Sequence, residues 1–181
     1  KLTSTRLNLF VLSKRNDEET IKKCITHIDG IQEIEKEIRA ISHDLNRDIF
    51  AAKDSFKAII EALFENQKSI SEANYSIEID DKISWENIDS ATKMHLYRIF
   101  QESLQNIYKY AKAKNVMASI NKIDNQIAIE IKDDGKGFDV KKAKEGIGLK
   151  NMNARIAAIN GTITFQSEKG KGTTIKINIP A

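Results

Sequence analysis

The chain has 181 residues, 40% of them hydrophobic and 30% charged, with a net charge of +3. This is enough for one compact domain and an appendage, and so weak a charge, with no basic stripe interleaved with aromatics, gives no electrostatic case for nucleic acid. A lone cysteine, Cys24, excludes a disulfide framework, and His27, His43 and His95 are not at zinc spacing from any other ligand.

Cysteine usage fits a reducing, cytoplasmic setting. No apolar run approaches the roughly 20 residues needed to cross a bilayer. Any attachment of the parent protein to an inner membrane would therefore come from segments outside this chain. The first residue is Lys1 rather than Met, so the sequence is expected to be a fragment or a processed product.

The first half reads as helix, and the single proline, Pro180, leaves long helices unbroken. A short apolar stretch around Leu7 to Leu12 ends in the polar run from Ser13 to Asp17. Asn16 or Asp17 can cap the next helix, with Glu18 and Glu19 at its positive end. Ile21, Ile25, Ile28, Ile31, Ile34, Ile38, Ile41 and Leu45 then recur at steps of three and four. So narrow a seam suits a coiled coil or helical bundle that buries it against a partner helix.

A second helix is predicted over 54–71, with Phe56, Ile59, Ile60, Leu63 and Phe64 as its apolar face. Tyr75, Ile77 and Ile79 alternate with polar residues, which signals a strand. The reading places a domain boundary near residue 72, giving a helical region over 1–72 and a mixed domain over 73–181. In the second, Asp89 or Ser90 can cap a helix reaching about Lys112, with Leu96, Phe100, Leu104 and Ile107 among its apolar positions. Strands through Val116–Ile120 and Ile127–Ile131 are joined at Asp124-Asn125 as a hairpin. A helix over 149–160 is expected to end at Gly161 as its cap. Strands over 162–167 and 173–179 close the domain as an antiparallel sheet with helices on one face.

Four short segments carry chemistry. Glu102 and Asn106 are four apart and share one helical face. A carboxylate and an amide oxygen there can hold a hydrated magnesium ion, although such a pair is ordinarily a solvated face. Asp133-Asp134-Gly135-Lys136-Gly137-Phe138 follows a strand. Its glycines let the backbone turn sharply and approach a flat ligand, and Asp133 could accept from an exocyclic amine; the ordinary reading is a strand-to-loop turn. Glu145-Gly146-Ile147-Gly148-Leu149 precedes a helix, where unpaired amide N–H groups and the dipole favour phosphate. Gly170-Lys171-Gly172-Thr173 reads by itself as a hairpin turn.

Together and in this order, these segments resemble the N box and glycine boxes of the GHKL ATPase superfamily. The closest likeness is to bacterial sensor histidine kinases of the nitrate-sensor and desaturase-sensor type, over about residues 75–181. The resemblance implies an α+β protein: a partial helical dimerisation hairpin followed by an α/β sandwich of the GHKL (Bergerat) type that binds ATP with magnesium. By position, Asn106 corresponds to the magnesium ligand and Glu102 to its acidic, catalytic neighbour. Asp133 corresponds to the adenine-reading carboxylate, with Thr173 beside it. Gly135 and Gly137 correspond to the turn, and Gly146, Gly148 and Leu149 to the phosphate end of the lid. The lid itself, Phe138 to Glu145, is short as in this subgroup and unlike gyrase or heat-shock-chaperone relatives. Tyr110 stands where many relatives have a histidine, a departure expected to alter packing rather than magnesium binding.

The family implies a phosphoacceptor histidine. His43, followed by Asp44, resembles the His-Asp box superficially. In the family, however, the acceptor lies early on the first of two helices that both precede the ATP domain. Asn106 lies only 63 residues beyond His43, which leaves no room for the rest of a first helix and a complete second one. The expectation is that the acceptor lies upstream of Lys1, with His43 as the alternative.

The function so implied is autophosphorylation on histidine and transfer to an aspartate of a response regulator receiver domain, in a homodimer held by the isoleucine seam. Two alternatives are a serine/threonine kinase of the anti-sigma-factor type and a non-catalytic dimerisation module with a degenerate ATP site.

Overall fold

The chain divides into two compact units, Lys1–Ile49 and Phe50–Ala181. The computed structural model describes residues 28, 31, 56–140 and 147–181. In the first unit Ile28 and Ile31, two members of the isoleucine seam, are helical and half-buried. The rest of the seam, with Cys24, His27 and His43, lies outside the described residues. No described helix is long and apolar enough to cross a membrane.

Helix α1 (Phe56–Ser69) buries Phe56, Ile60 and Phe64, a stripe repeating every fourth residue on one helical face. Phe56 lies against Trp85, with ring centroids 4.8 Å apart, and Phe64 meets Phe100 edge-on at 6.1 Å. These aromatic contacts hold α1, itself part of the second unit, on that unit's core. Lys57 pairs with Asp81 at the rim.

Strand β1 (Asn74–Ile79) follows, then a 3-10 turn at Trp85–Asn87 that buries the indole. Helix α2 (Ser90–Asn106) is capped by Asp89, whose carboxylate accepts from the Thr92 backbone N–H at 2.9 Å and from its hydroxyl at 2.6 Å. Leu96, Ile99, Phe100 and Leu104 are fully buried along it. The α-helix does not reach Lys112 as expected. It passes into a π-helical turn at Ile107–Ala111 and stops at Lys112, which adopts φ 52° in the left-handed region. The wider turn shifts the angular position of residues 108–110, and π turns of this kind recur at functional sites.

Strands β2 (Asn115–Ile123) and β3 (Gln126–Asp133) form the expected hairpin, with Asp124 in the left-handed region at φ 53°. Helix α3 (Ile147–Ala157) and strands β4 (Thr162–Ser167) and β5 (Thr173–Pro180) complete the unit. The sheet order is β1-β2-β3-β5-β4. It is mixed rather than antiparallel, because β1 runs parallel to β2. The connection between them contains α2, and a parallel pair requires such a crossover. Val116, Ala118, Ile120, Ile127, Ile129, Ile131, Ile175, Ile177 and Ile179 are all buried, on alternate positions of β2, β3 and β5. Met152 and Ile156 of α3 join them in one core. The opposite face carries an exposed Met117 and the Glu130–Lys176 pair.

Gly161 is not the left-handed cap of α3. Asn160 takes that conformation at φ 53°, and Gly161 donates to the Ile156 carbonyl at 3.0 Å. The glycine serves close packing instead: a Cβ there would lie 2.8 Å from the Asn178 carbonyl oxygen.

Candidate functional site

A cavity of about 580 Å³ opens where the end of α2, the end of β3, the start of α3 and the start of β5 converge. That volume is in the usual range for a small-molecule site. It is lined by Glu102, Asn106, Asp133, Gly137, Gly148, Leu149 and Thr173, seven residues singled out in the sequence. Gly135 is buried beside it. Gly146 and His43 lie outside the described residues.

Asp133 is the polar anchor of the cavity. It is 2% exposed, and its Oδ1 accepts from the Gly135 N–H at 2.8 Å. Burial pushes its carboxyl above the ordinary value, while bonds from Gly135 and the Thr173 hydroxyl pull it back. An almost buried carboxylate facing apolar walls is a strong acceptor for a ligand donor. Ile131, Met152, Phe165 and Ile175 supply those walls, which suits a flat, largely apolar ring.

The glycines hold the backbone in arrangements a side chain would prevent. Gly137 has φ 58°, and a Cβ would stand 2.0 Å from the Glu168 carbonyl oxygen. Gly172 has φ 77°, and its Cβ would stand 2.0 Å from the Asp133 carbonyl oxygen. Thus Gly172, read from sequence as a hairpin residue, also lets β5 approach the back of Asp133. Gly135 is packed on the π turn, with its Cβ position 2.4 Å from the Ala111 carbonyl oxygen. That carbonyl also accepts from Lys136 at 2.8 Å, so the end of the π turn is tied to the glycine loop.

At the other end of the cavity, Asn106 donates from Nδ2 to Glu102 Oε1 at 3.3 Å. A Cβ on Gly148 would lie 2.4 Å from the same Glu102 oxygen. The first turn of α3 therefore sits against the paired amide and carboxylate. With Nδ2 directed at Glu102, the Asn106 amide oxygen is the atom left to accept. Oxygen donors beside a helix start fit a hydrated divalent cation that carries phosphate. Among the described residues no group of three or more His, Cys, Asp or Glu could hold a metal by itself.

Several lining residues were given no place in the cavity by the sequence reading. Lys109, Tyr110 and Lys136 face the cavity, and Tyr110 is 61% exposed. Tyr110 therefore borders the site rather than altering packing, because the π turn carries it off the buried face. Asp134, given no role in the sequence reading, fastens the loop before β2. Its carboxylate accepts from the backbone N–H of Lys114 at 2.7 Å and of Asn115 at 2.9 Å, and from Asn115 Nδ2 at 2.8 Å. The Asn115 bonds, with the Lys114 amide, hold its carboxyl below the ordinary carboxylate value.

A depressed carboxyl contributes stability above its unfolded pKa, and the contribution is lost as pH falls through the folded one. Asp134→Ala should therefore cost no more than about 1 kcal/mol near neutral pH, because the carboxylate is exposed and its bonds are screened by solvent. The gap to the wild type should narrow as pH drops below about 4, as urea midpoints measured across that range will test.

The profile of the family described as histidine kinase-, DNA gyrase B-, and HSP90-like ATPase matches residues 91–181. The sensor histidine kinase LiaS of Bacillus subtilis (strain 168) is 30% identical over 170 residues, covering 92% of this chain and 45% of the relative. The signal transduction histidine-protein kinase/phosphatase DegS of Brevibacillus brevis is 35% identical over 147 residues, covering 80% of this chain and 37% of the relative. The chain thus spans less than half the length of these curated relatives. Among solved structures, the histidine kinase domain of an Erythrobacter litoralis blue-light activated histidine kinase superposes with a TM-score of 0.63 at 15% identity, covering 99% of this chain and 93% of that one. The Acinetobacter baumannii histidine kinase AdeS superposes at 0.57 with 16% identity, covering 98% and 92%. These two likenesses concern the fold. With the family profile matching half of the chain, over the residues that build the cavity, the chain belongs to the histidine kinase-, DNA gyrase B- and HSP90-like ATPase family.

Proposed function

We propose that this chain is the ATP-binding part of a sensor histidine kinase, which phosphorylates itself on histidine and passes the phosphoryl group to a response regulator aspartate. The observation that carries the reading is the single cavity joining Asp133, buried at one end, to the Glu102–Asn106 pair against the start of α3 at the other. Adenine is assigned to the Asp133 end, where the carboxylate accepts from the exocyclic amine and Thr173 supports it. The phosphates are assigned to the Gly148 end, with Gly146 and Leu149 beside them and with Gly135 and Gly137 shaping the turn between.

Asn106, with Glu102 beside it, would hold a magnesium ion, which supplies neutralisation of phosphate charge when bound. The chain's own contribution is then mainly position. A histidine nitrogen attacks the γ-phosphorus; the N–P bond forms as the bond to the β–γ bridging oxygen breaks, and ADP leaves. Glu102 is assigned the catalytic role of taking the imidazole proton.

Residues 1–72 are assigned to dimerisation and phosphotransfer and 73–181 to ATP binding. Helix α1 ends the first of these in sequence while its aromatic stripe packs with Trp85 and Phe100 of the second. The isoleucine seam from Ile21 to Leu45 supports a homodimeric bundle.

The native full-length protein, given ATP labelled at the γ-phosphoryl, should acquire acid-labile label that moves to a receiver domain. Asn106→Ala should lower that labelling by about a hundredfold or more, the scale of losing a transition-state charge contact. Acid-stable label on serine or threonine would contradict the proposal. In the same assay His43→Ala decides whether His43 is the acceptor.

A further inference from the structure

Ser167, at the end of β4, does not line the cavity, yet its hydroxyl touches two segments that shape it, at Phe138 and at Gly172-Thr173. The Phe138 N–H donates to Ser167 Oγ at 2.9 Å. Ser167 Oγ lies 2.9 Å from the Gly172 carbonyl oxygen and 3.0 Å from Thr173 Oγ1. Phe138 and Thr173 themselves line the cavity.

A hydroxyl has one proton to donate and two lone pairs to accept. With the Ser167 proton directed to Thr173 Oγ1, the Thr173 proton is released toward Asp133. A continuous chain of donors then runs from the Phe138 amide through both hydroxyls to the Asp133 carboxylate. With the Ser167 proton directed to the Gly172 carbonyl, Thr173 donates back to Ser167 and the chain to Asp133 is broken. Each link polarises the next, so the first arrangement is cooperative.

We propose that Ser167 is a positioning residue for the nucleotide, coupling the backbone that leaves the glycine turn at Phe138 to the Thr173–Asp133 pair. The inference rests on the assignment of adenine to Asp133. A hydroxyl at position 167 can accept from the Phe138 amide and donate to Thr173 at once. Alanine removes the bonds to Phe138 and Thr173 and leaves the Phe138 amide and Thr173 hydroxyl to find water. Threonine keeps the oxygen.

The test compares the 181-residue chain as wild type, Ser167→Ala and Ser167→Thr. ATP with magnesium is titrated calorimetrically, and amide exchange is followed at Phe138 and Gly135. Ser167→Ala should bind ATP roughly tenfold more weakly, the scale of one buried hydrogen-bond link. Ser167→Thr should stay within about twofold of wild type on the same scale. Exchange at Phe138 should quicken in the alanine variant while Gly135, bonded to Asp133, keeps its protection.

Wild-type affinity in Ser167→Ala, or equal weakness in the alanine and threonine variants, would overturn the inference and leave the ATP site standing. A wild-type chain that binds no ATP would overturn the site assignment and this inference with it.

Discussion

Asp133→Asn should reduce ATP affinity by about two orders of magnitude while leaving the unliganded domain at least as stable as the wild type. The loss follows from charge and geometry. A nearly buried carboxylate accepts from an exocyclic amine as a charge-assisted bond, worth about 1.5–3 kcal/mol. The amide is neutral, and its Nδ2 would set a donor against a donor wherever it faced the amine.

The gain in stability has a different origin. Burial raises the Asp133 carboxyl above its ordinary value, so the folded state holds that proton more tightly than the unfolded chain does. For a raised carboxyl, stability is greatest below the unfolded pKa, about 3.9, and falls as pH rises toward the folded pKa. The asparagine has no charge to bury. Its Oδ1 can keep the Gly135 N–H, and its Nδ2 can donate to Thr173. Urea midpoints should therefore favour Asp133→Asn more at pH 7 than at pH 4. A variant that loses both affinity and stability at pH 7 would show that the carboxylate is structural.

The second large effect is expected at Gly137. Its φ of 58° is costly for any side chain, and a Cβ would stand 2.0 Å from the Glu168 carbonyl and 2.8 Å from that of Gly172. Both neighbours are backbone, and the Gly172 side is fixed in turn by its own approach to Asp133. Gly137→Ala should cost about 2–4 kcal/mol, combining left-handed strain with a backbone clash. Gly170→Ala is the matched control. Gly170 also has positive φ, 82°, but nothing lies within 4 Å of its Cβ position. It should lose only the left-handed cost of about 1–2 kcal/mol. Equal urea midpoints for the two variants would mean that close approach at Gly137 contributes nothing.

Much of this was legible in sequence because two kinds of signal are local. Alternating apolar residues in β2, β3 and β5 mark one buried face, and Asp89 before Thr92 marks a helix start. Glycines clustered at strand and helix ends pointed to the residues that line the cavity. What escaped depended on contacts between distant segments. The π turn at Ile107–Ala111 has the composition of ordinary helix, so the outward turn of Tyr110 could not be read from it. The parallel pairing of β1 with β2 follows from the crossover through α2, which strand periodicity does not encode. Asp134 and Ser167 look like surface polar residues until Asn115 and Phe138 are brought beside them. Sequence alone makes Gly172 a turn residue and Gly161 a helix cap, because the carbonyls they approach, of Asp133 and Asn178, are far away in sequence.

The central claim is that the Asp133 end of the cavity reads the exocyclic amine of adenine. Its most direct test is the affinity of the wild-type chain for ATP against purine riboside triphosphate, which differs only in lacking that amine, with magnesium held constant. Loss of a charge-assisted bond that leaves Asp133 buried and unpaired predicts ATP tighter by more than about tenfold. Equal affinities would contradict the account.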